Sequence, residues 1–113
     1  MIKQYLNWQF SSGPTIGKDF RQFSKEFKKE IKKRLPEGAE LVTWNVGHYD
    51  ISGFIKRGDK YVYFSISDVR YFKNEWYNNI LVRTAKDTND YTGGSNNYVS
   101  LPAFKEKIEE LLR

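Results

Sequence analysis

Seven cations recur along residues 18–33 at spacings that share one side of a helix. Lys18, Arg21, Lys25, Lys28, Lys29, Lys32 and Lys33 fall within roughly 140° of one another at about 100° per residue. Asp19, Glu26 and Glu30 gather on the opposite flank, and Arg34 lies near the apolar stripe. Like charges four apart occur at Arg21–Lys25, Lys25–Lys29, Lys28–Lys32 and Lys29–Lys33. Each such pair costs about a few tenths of a kcal/mol in a helix. A helix selected for stability alone would interleave acids here, so the pattern points to contact with a polyanion, either a nucleic-acid backbone or an acidic groove on a protein. The plainer alternative is a solvated face kept basic for solubility. Lysine outnumbers arginine, which suits nonspecific phosphate attraction better than bidentate base reading. The candidate binding residues are Arg21, Lys25, Lys28, Lys29, Lys32 and Lys33, joined farther along by Arg70 and Tyr71.

Other reactive patterns are weaker. His48 and Asp50 lie in one turn, where a histidine base oriented by a carboxylate is conceivable. The chain has no Cys, no second His and no Ser in a nucleophile-elbow motif, so nucleophilic and metal chemistry lack their usual residues. No enzyme activity, metal or cofactor is expected. Gly13-Pro14-Thr15-Ile16-Gly17-Lys18-Asp19 has the flavour of a phosphate-binding loop. Its spacing is one residue short, and Asp19 stands where a hydroxyl should hold the metal.

Tyr61 and Tyr63, with Arg70, Tyr71, Trp76 and Tyr77 nearby, offer a stacking platform for single-stranded bases. Tyrosine is also simply a good strand residue, and no RNP-type motif accompanies these. Asp68 and Arg70 form either an ionic latch or two solvated residues past a strand end. Residues 91–98 (YTGGSNNY) are either a recognition loop, whose glycines permit close backbone approach, or a connector.

The elements that must position these residues follow from pattern. The chain is 113 residues long, enough for one domain around one core. Aromatic residues make up 17%, so a few large side chains can fill that core. Mean hydropathy is −0.72, and no run is long and apolar enough to span a membrane. The first ten residues lack the apolar stretch of a secretory signal, so a cytoplasmic location is expected. Net charge is +5 with a pI near 9.4. Residues 18–34 hold eight Lys/Arg against three Asp/Glu, while the rest of the chain holds eleven of each sign. The basic character therefore belongs to one element.

Residues 2–10 read as a first strand and 11–17 as a turn. Phe20, Phe23, Phe27, Ile31 and Leu35 recur at steps of three and four, which predicts a helix over 18–35 that Pro36 and Gly38 end. Strands are predicted over 39–46, 51–56, 60–67 and 79–86, with a tight hairpin at Gly58-Asp59. Gly53 lies inside the second of these. The third, around which the sheet is organised, alternates Val62, Phe64 and Ile66 against Tyr61, Tyr63 and Ser65. Continuing it would place Asp68 and Arg70 on the apolar face, so a bulge or strand end is expected near Asp68. Residues 87–98 read as a polar, Gly-rich loop. A second helix is expected from Val99 or Ser100, with Pro102 in its first turn and Lys105–Glu109 and Glu109–Arg113 at favourable spacing.

The expected fold is α+β: a mainly antiparallel sheet of about five strands in the order β-α-β-β-β-β-α, packed against two amphipathic helices. The run ISDVRYFKNEWYNNILVRTAKDTNDYTGGSNNY, residues 66–98, resembles small accessory proteins of bacterial mobile genetic elements. Such elements carry anti-CRISPR and antirestriction inhibitors. The resemblance implies an anti-defence inhibitor that docks, through the basic helix, on a protein of a nucleic-acid-handling defence system. The acidic surface of DNA mimics is missing, since this chain is net basic. Direct, largely sequence-independent binding of DNA or RNA is the alternative, and a small hydrolase a distant third.

Overall fold

The computed structural model describes residues 16–69 and 76–113, with side chains of the first helix from residue 20 onward. Two α-helices and a five-stranded antiparallel sheet make an α+β fold. The elements are α1 (Ile16–Lys33), β1 (Glu40–Val46), β2 (Ile51–Arg57), β3 (Lys60–Ile66), β4 (Ile80–Ala85), β5 (Asn97–Val99) and α2 (Phe104–Leu111), with a short 3-10 turn at Trp76–Asn78. The strands lie in the order β1-β2-β3-β4-β5. Among the described residues no helix is long and apolar enough to cross a membrane. The strand expected over 2–10, most of the turn after it and Gly13–Thr15 lie outside the described residues.

The apolar stripe of α1 packs as its spacing requires. Phe20, Phe23, Phe27 and Ile31 are all buried in the core shared with Ile51, Ile55, Val62, Phe64 and Ile66. Trp76 stands edge-on to Phe23 and Phe27, at centroid distances of 4.8 and 5.4 Å. Trp44 bridges Phe27 (5.7 Å) to Phe64 (5.8 Å). Edge-to-face contacts of this kind add to the burial of large rings. Phe64 also meets Phe104 of α2 at 6.1 Å, so both helices cover the same side of the sheet. The helix ends at Lys33, just before the expected Leu35, in a tightened turn in which Arg34 N–H donates to Ile31 O.

Two glycines carry the sheet's geometry. Gly58, at φ 63°, takes the first central position of the two-residue β2–β3 hairpin, where L side chains are strained. Gly53 pairs with Trp44 across the strands, and a Cβ there would come within 2.3 Å of Thr43 O and 2.9 Å of the Phe64 ring. The register shifts between Leu41 and Thr43, a bulge that leaves Val42 as the extra residue. β3 stops at Ile66, as its charge pattern requires, and Val69 N–H turns back to Tyr49 O at 2.9 Å.

Two boundaries differ from expectation. Residues 97–99, expected in a loop and a helix start, pair with β4 through Val99–Ile80, Tyr98–Leu81 and Asn97–Val82. The second helix accordingly begins only at Phe104. Pro102 sits in the preceding turn, where Ala103 N–H donates to Ser100 O. Sheet pairing of Val99 outweighs the local helix signal. The ion pairs differ too: Glu109 takes the Arg57 guanidinium at the end of β2, and Lys107 meets Glu110 at 3.4 Å. The first of these ties α2 to the sheet.

The loop 87–96 is a folded element organised by one side chain. Asp90 accepts backbone N–H groups from Lys86 (2.9 Å), Gly93 (2.7 Å) and Thr92 (3.2 Å). Gly94, at φ 72°, sits so close to β4 that a Cβ would lie 2.5 Å from Thr84 O. The Lys86 and Gly93 amides hold the Asp90 carboxyl below its ordinary range against an opposing desolvation, with Thr92 adding to them. A depressed folded-state pKa means stabilisation that is complete above the ordinary carboxylate value and lost as pH falls through the lowered one. The Thr92 and Gly93 amides should therefore lose hydrogen-exchange protection only at acid pH below that value. Asp90→Ala, which has no acceptor to offer, should lose the protection at every pH. Equal protection in the variant at neutral pH would show that Asp90 does not organise the loop.

Candidate polyanion-binding face

The basic face survives folding. The apolar stripe of α1 fixes the helix on the sheet, so residues opposite the stripe must point to solvent. Arg21, Lys25, Lys29, Lys32 and Lys33 are exposed and Lys28 is half-buried. Among the described residues no carboxylate pairs with Arg21, Lys25, Lys28, Lys29 or Lys32. Along the axis Arg21 and Lys32 are about 16 Å apart, at a rise of about 1.5 Å per residue. The side chain of Lys18 lies outside the described ones, as do Arg70 and Tyr71.

The C-terminal end of the helix is different. Glu30, only 3% exposed, receives Arg34 Nη1 at 2.6 Å and Lys33 Nζ at 3.3 Å. Arg34 also donates to Glu30 O at 3.1 Å. Burial alone would raise the Glu30 carboxyl, but these hydrogen bonds and charges hold it below its ordinary value. Lys33 thus belongs partly to an internal triad, although its side chain stays 66% exposed. The free part of the face is the run from Arg21 to Lys32.

The stacking group suggested by the sequence is not brought together. Tyr61 and Tyr63 point to the side of the sheet away from the helices. Trp76 is buried under α1, and Tyr77 packs against Trp76 at 5.9 Å. His48 and Asp50 are both exposed on the β1–β2 turn, not enclosed in a polar pocket. The His48 ring stands edge-on to Tyr49 at 4.8 Å. Gly17, Lys18 and Asp19 of the phosphate-loop-like run already belong to the backbone of α1.

One residue escaped the sequence reading. Arg83 on β4 is 9% exposed, with its guanidinium 4.4 Å from the Tyr63 ring centre. Its position was encoded in the alternation of Leu81, Arg83 and Ala85 against Ile80, Val82 and Thr84. Its burial depends on a loop whose path no local pattern specified.

No protein-family model, curated protein or solved structure matches the chain.

Proposed function

We propose that this chain is a non-catalytic binding protein that lays the basic side of α1 along the backbone of a nucleic acid in the cytoplasm. The observation that carries the reading is the run Arg21, Lys25, Lys28, Lys29 and Lys32, turned outward on a helix whose other side is locked into the core. Helical neighbours four apart are separated by about 6 Å along the axis, so successive phosphates can each meet a cation. Ammonium groups act as point charges and make no bidentate reading of bases. Binding is therefore largely independent of sequence.

A salt titration tests this. With five cations engaged, log K against log salt should fall with a slope of about −4.5 on duplex DNA. A slope near zero, or no complex at low salt, would remove the reading.

A second reading is an anti-defence inhibitor docking on a nucleic-acid-handling protein. It is favoured by Val42 and Val46, 42% and 49% exposed on the edge strand β1. Apolar anchors of this kind serve a protein interface better than a phosphate backbone. Its partner must offer an acidic surface, because a groove that holds guide or target strand is itself basic and would repel α1.

A further inference from the structure

The side of the sheet away from the helices has its own chemistry. Register places Phe54, Tyr63 and Arg83 in one row across it, and Ser52, Ser65, Leu81 and Tyr98 in the next. On this side Glu40 of β1 stands opposite Lys56, and across β2, β3, β4 and β5 no position is Asp or Glu. Its cations are Arg83 and Lys56, the latter 5.7 Å from the Tyr61 ring centre. Arg83 donates to Tyr91 O and approaches Asn96 Oδ1 at 3.5 Å, while its buried Nε has no partner. Neither oxygen carries a charge, so a buried guanidinium stands without a counter-ion among the described residues. The carboxylate of Asp90, in the loop whose Tyr91 accepts from Arg83, is engaged by the loop's own amides. Tyr91 rests edge-on against Phe54 and Tyr63, at 5.4 and 5.7 Å, yet stays 52% exposed, and Tyr98 is 65% exposed.

We propose that this face is a second binding site, specific for single-stranded nucleic acid, with bases stacked on Tyr91 and Tyr98 and the backbone drawn to the positive field of Arg83. The inference rests on the reading of the protein as a nucleic-acid binder and adds a site on the opposite side of the sheet from α1. Charge complementarity selects the occupant. A guanidinium without an acid calls for an anion, and exposed tyrosine rings call for flat unpaired bases. A duplex supplies phosphates but hides its base faces, and a neutral sugar leaves the guanidinium unanswered.

The test is fluorescence anisotropy with a labelled oligothymidylate of about twelve nucleotides and a duplex of the same length. Tyr91→Ala/Tyr98→Ala should weaken the oligothymidylate at least about tenfold and leave the duplex within about twofold. Should the double variant lose its fold, Tyr98→Ala alone carries the test, with a loss of about threefold or more on the single strand only. No loss on the single strand, an equal loss on both probes, or wild-type binding to duplex alone would overturn this site and leave the α1 reading standing. Failure of the wild-type protein to bind either probe would overturn both.

Discussion

Replacing Lys25, Lys28, Lys29 and Lys32 with Glu should reduce affinity for duplex DNA at low salt by at least about a thousandfold, roughly 4 kcal/mol. The four groups lie on the outward side of α1 and pair with no carboxylate among the described residues, so their removal opens no hole in the core. The exchange turns the net charge of the chain from +5 to negative and converts attraction along the helix into repulsion. Two of the four like-charge spacings persist in the variant, 25–29 and 28–32, while 21–25 and 29–33 become opposite in sign. Its helix should lose only about 1 kcal/mol in total, through acids placed toward the C-terminal end of the helix dipole. The matching Lys→Gln variant separates charge loss from charge reversal and should fall between wild type and the Glu variant. Anisotropy at low salt, with circular dichroism to verify the fold, checks the result. Affinity within about fivefold of wild type for the Glu variant would mean that α1 does not meet the phosphates.

Phe27→Ala should destabilise the protein by about 3–5 kcal/mol. Phe27 is fully buried and its ring touches three others: Phe23 at 5.6 Å, Trp44 at 5.7 Å and Trp76 at 5.4 Å. Removing it leaves a cavity between helix and sheet that these rigid rings cannot collapse into without leaving their own contacts. Denaturant unfolding followed by tryptophan fluorescence measures the loss directly, because two of the neighbours are indoles. A loss below about 1 kcal/mol would show that the ring cluster is not what holds α1 to the sheet.

Much of this architecture is written in local pattern. The steps of three and four through Phe20, Phe23, Phe27 and Ile31 determine both the buried stripe and, by exclusion, the outward basic face. The alternation of β3 and the Gly58-Asp59 hairpin set the central register. What local pattern does not carry is tertiary choice. Asn97–Val99 is too short and polar to announce a strand, and becomes one because β4 offers an edge. Arg83 reads as an ordinary outward residue until Asp90 folds the loop that brings Tyr91 over it. The expected grouping of Trp76 and Tyr77 with Tyr61 and Tyr63 failed for a related reason. The 3-10 turn before β4 carries the first pair to the helix side, and alternation within β3 sends the second pair to the other.

The strand order has one more consequence. Among the described residues every neighbour in the sheet is also the next strand in the chain, so none of these pairings has to close a loop around an intervening strand. Low sequence separation of this kind favours rapid assembly, and the hairpin at Gly58 is its natural seed. Helix α1 is different: burdened by self-repulsion, it gains its stability from the aromatic groove that β1 and β3 provide. Its docking is expected to follow sheet formation, so the protein acquires its charged surface only once the chain is otherwise complete. A nascent or partly unfolded copy would then offer a polyanion no ordered row of lysines to grip.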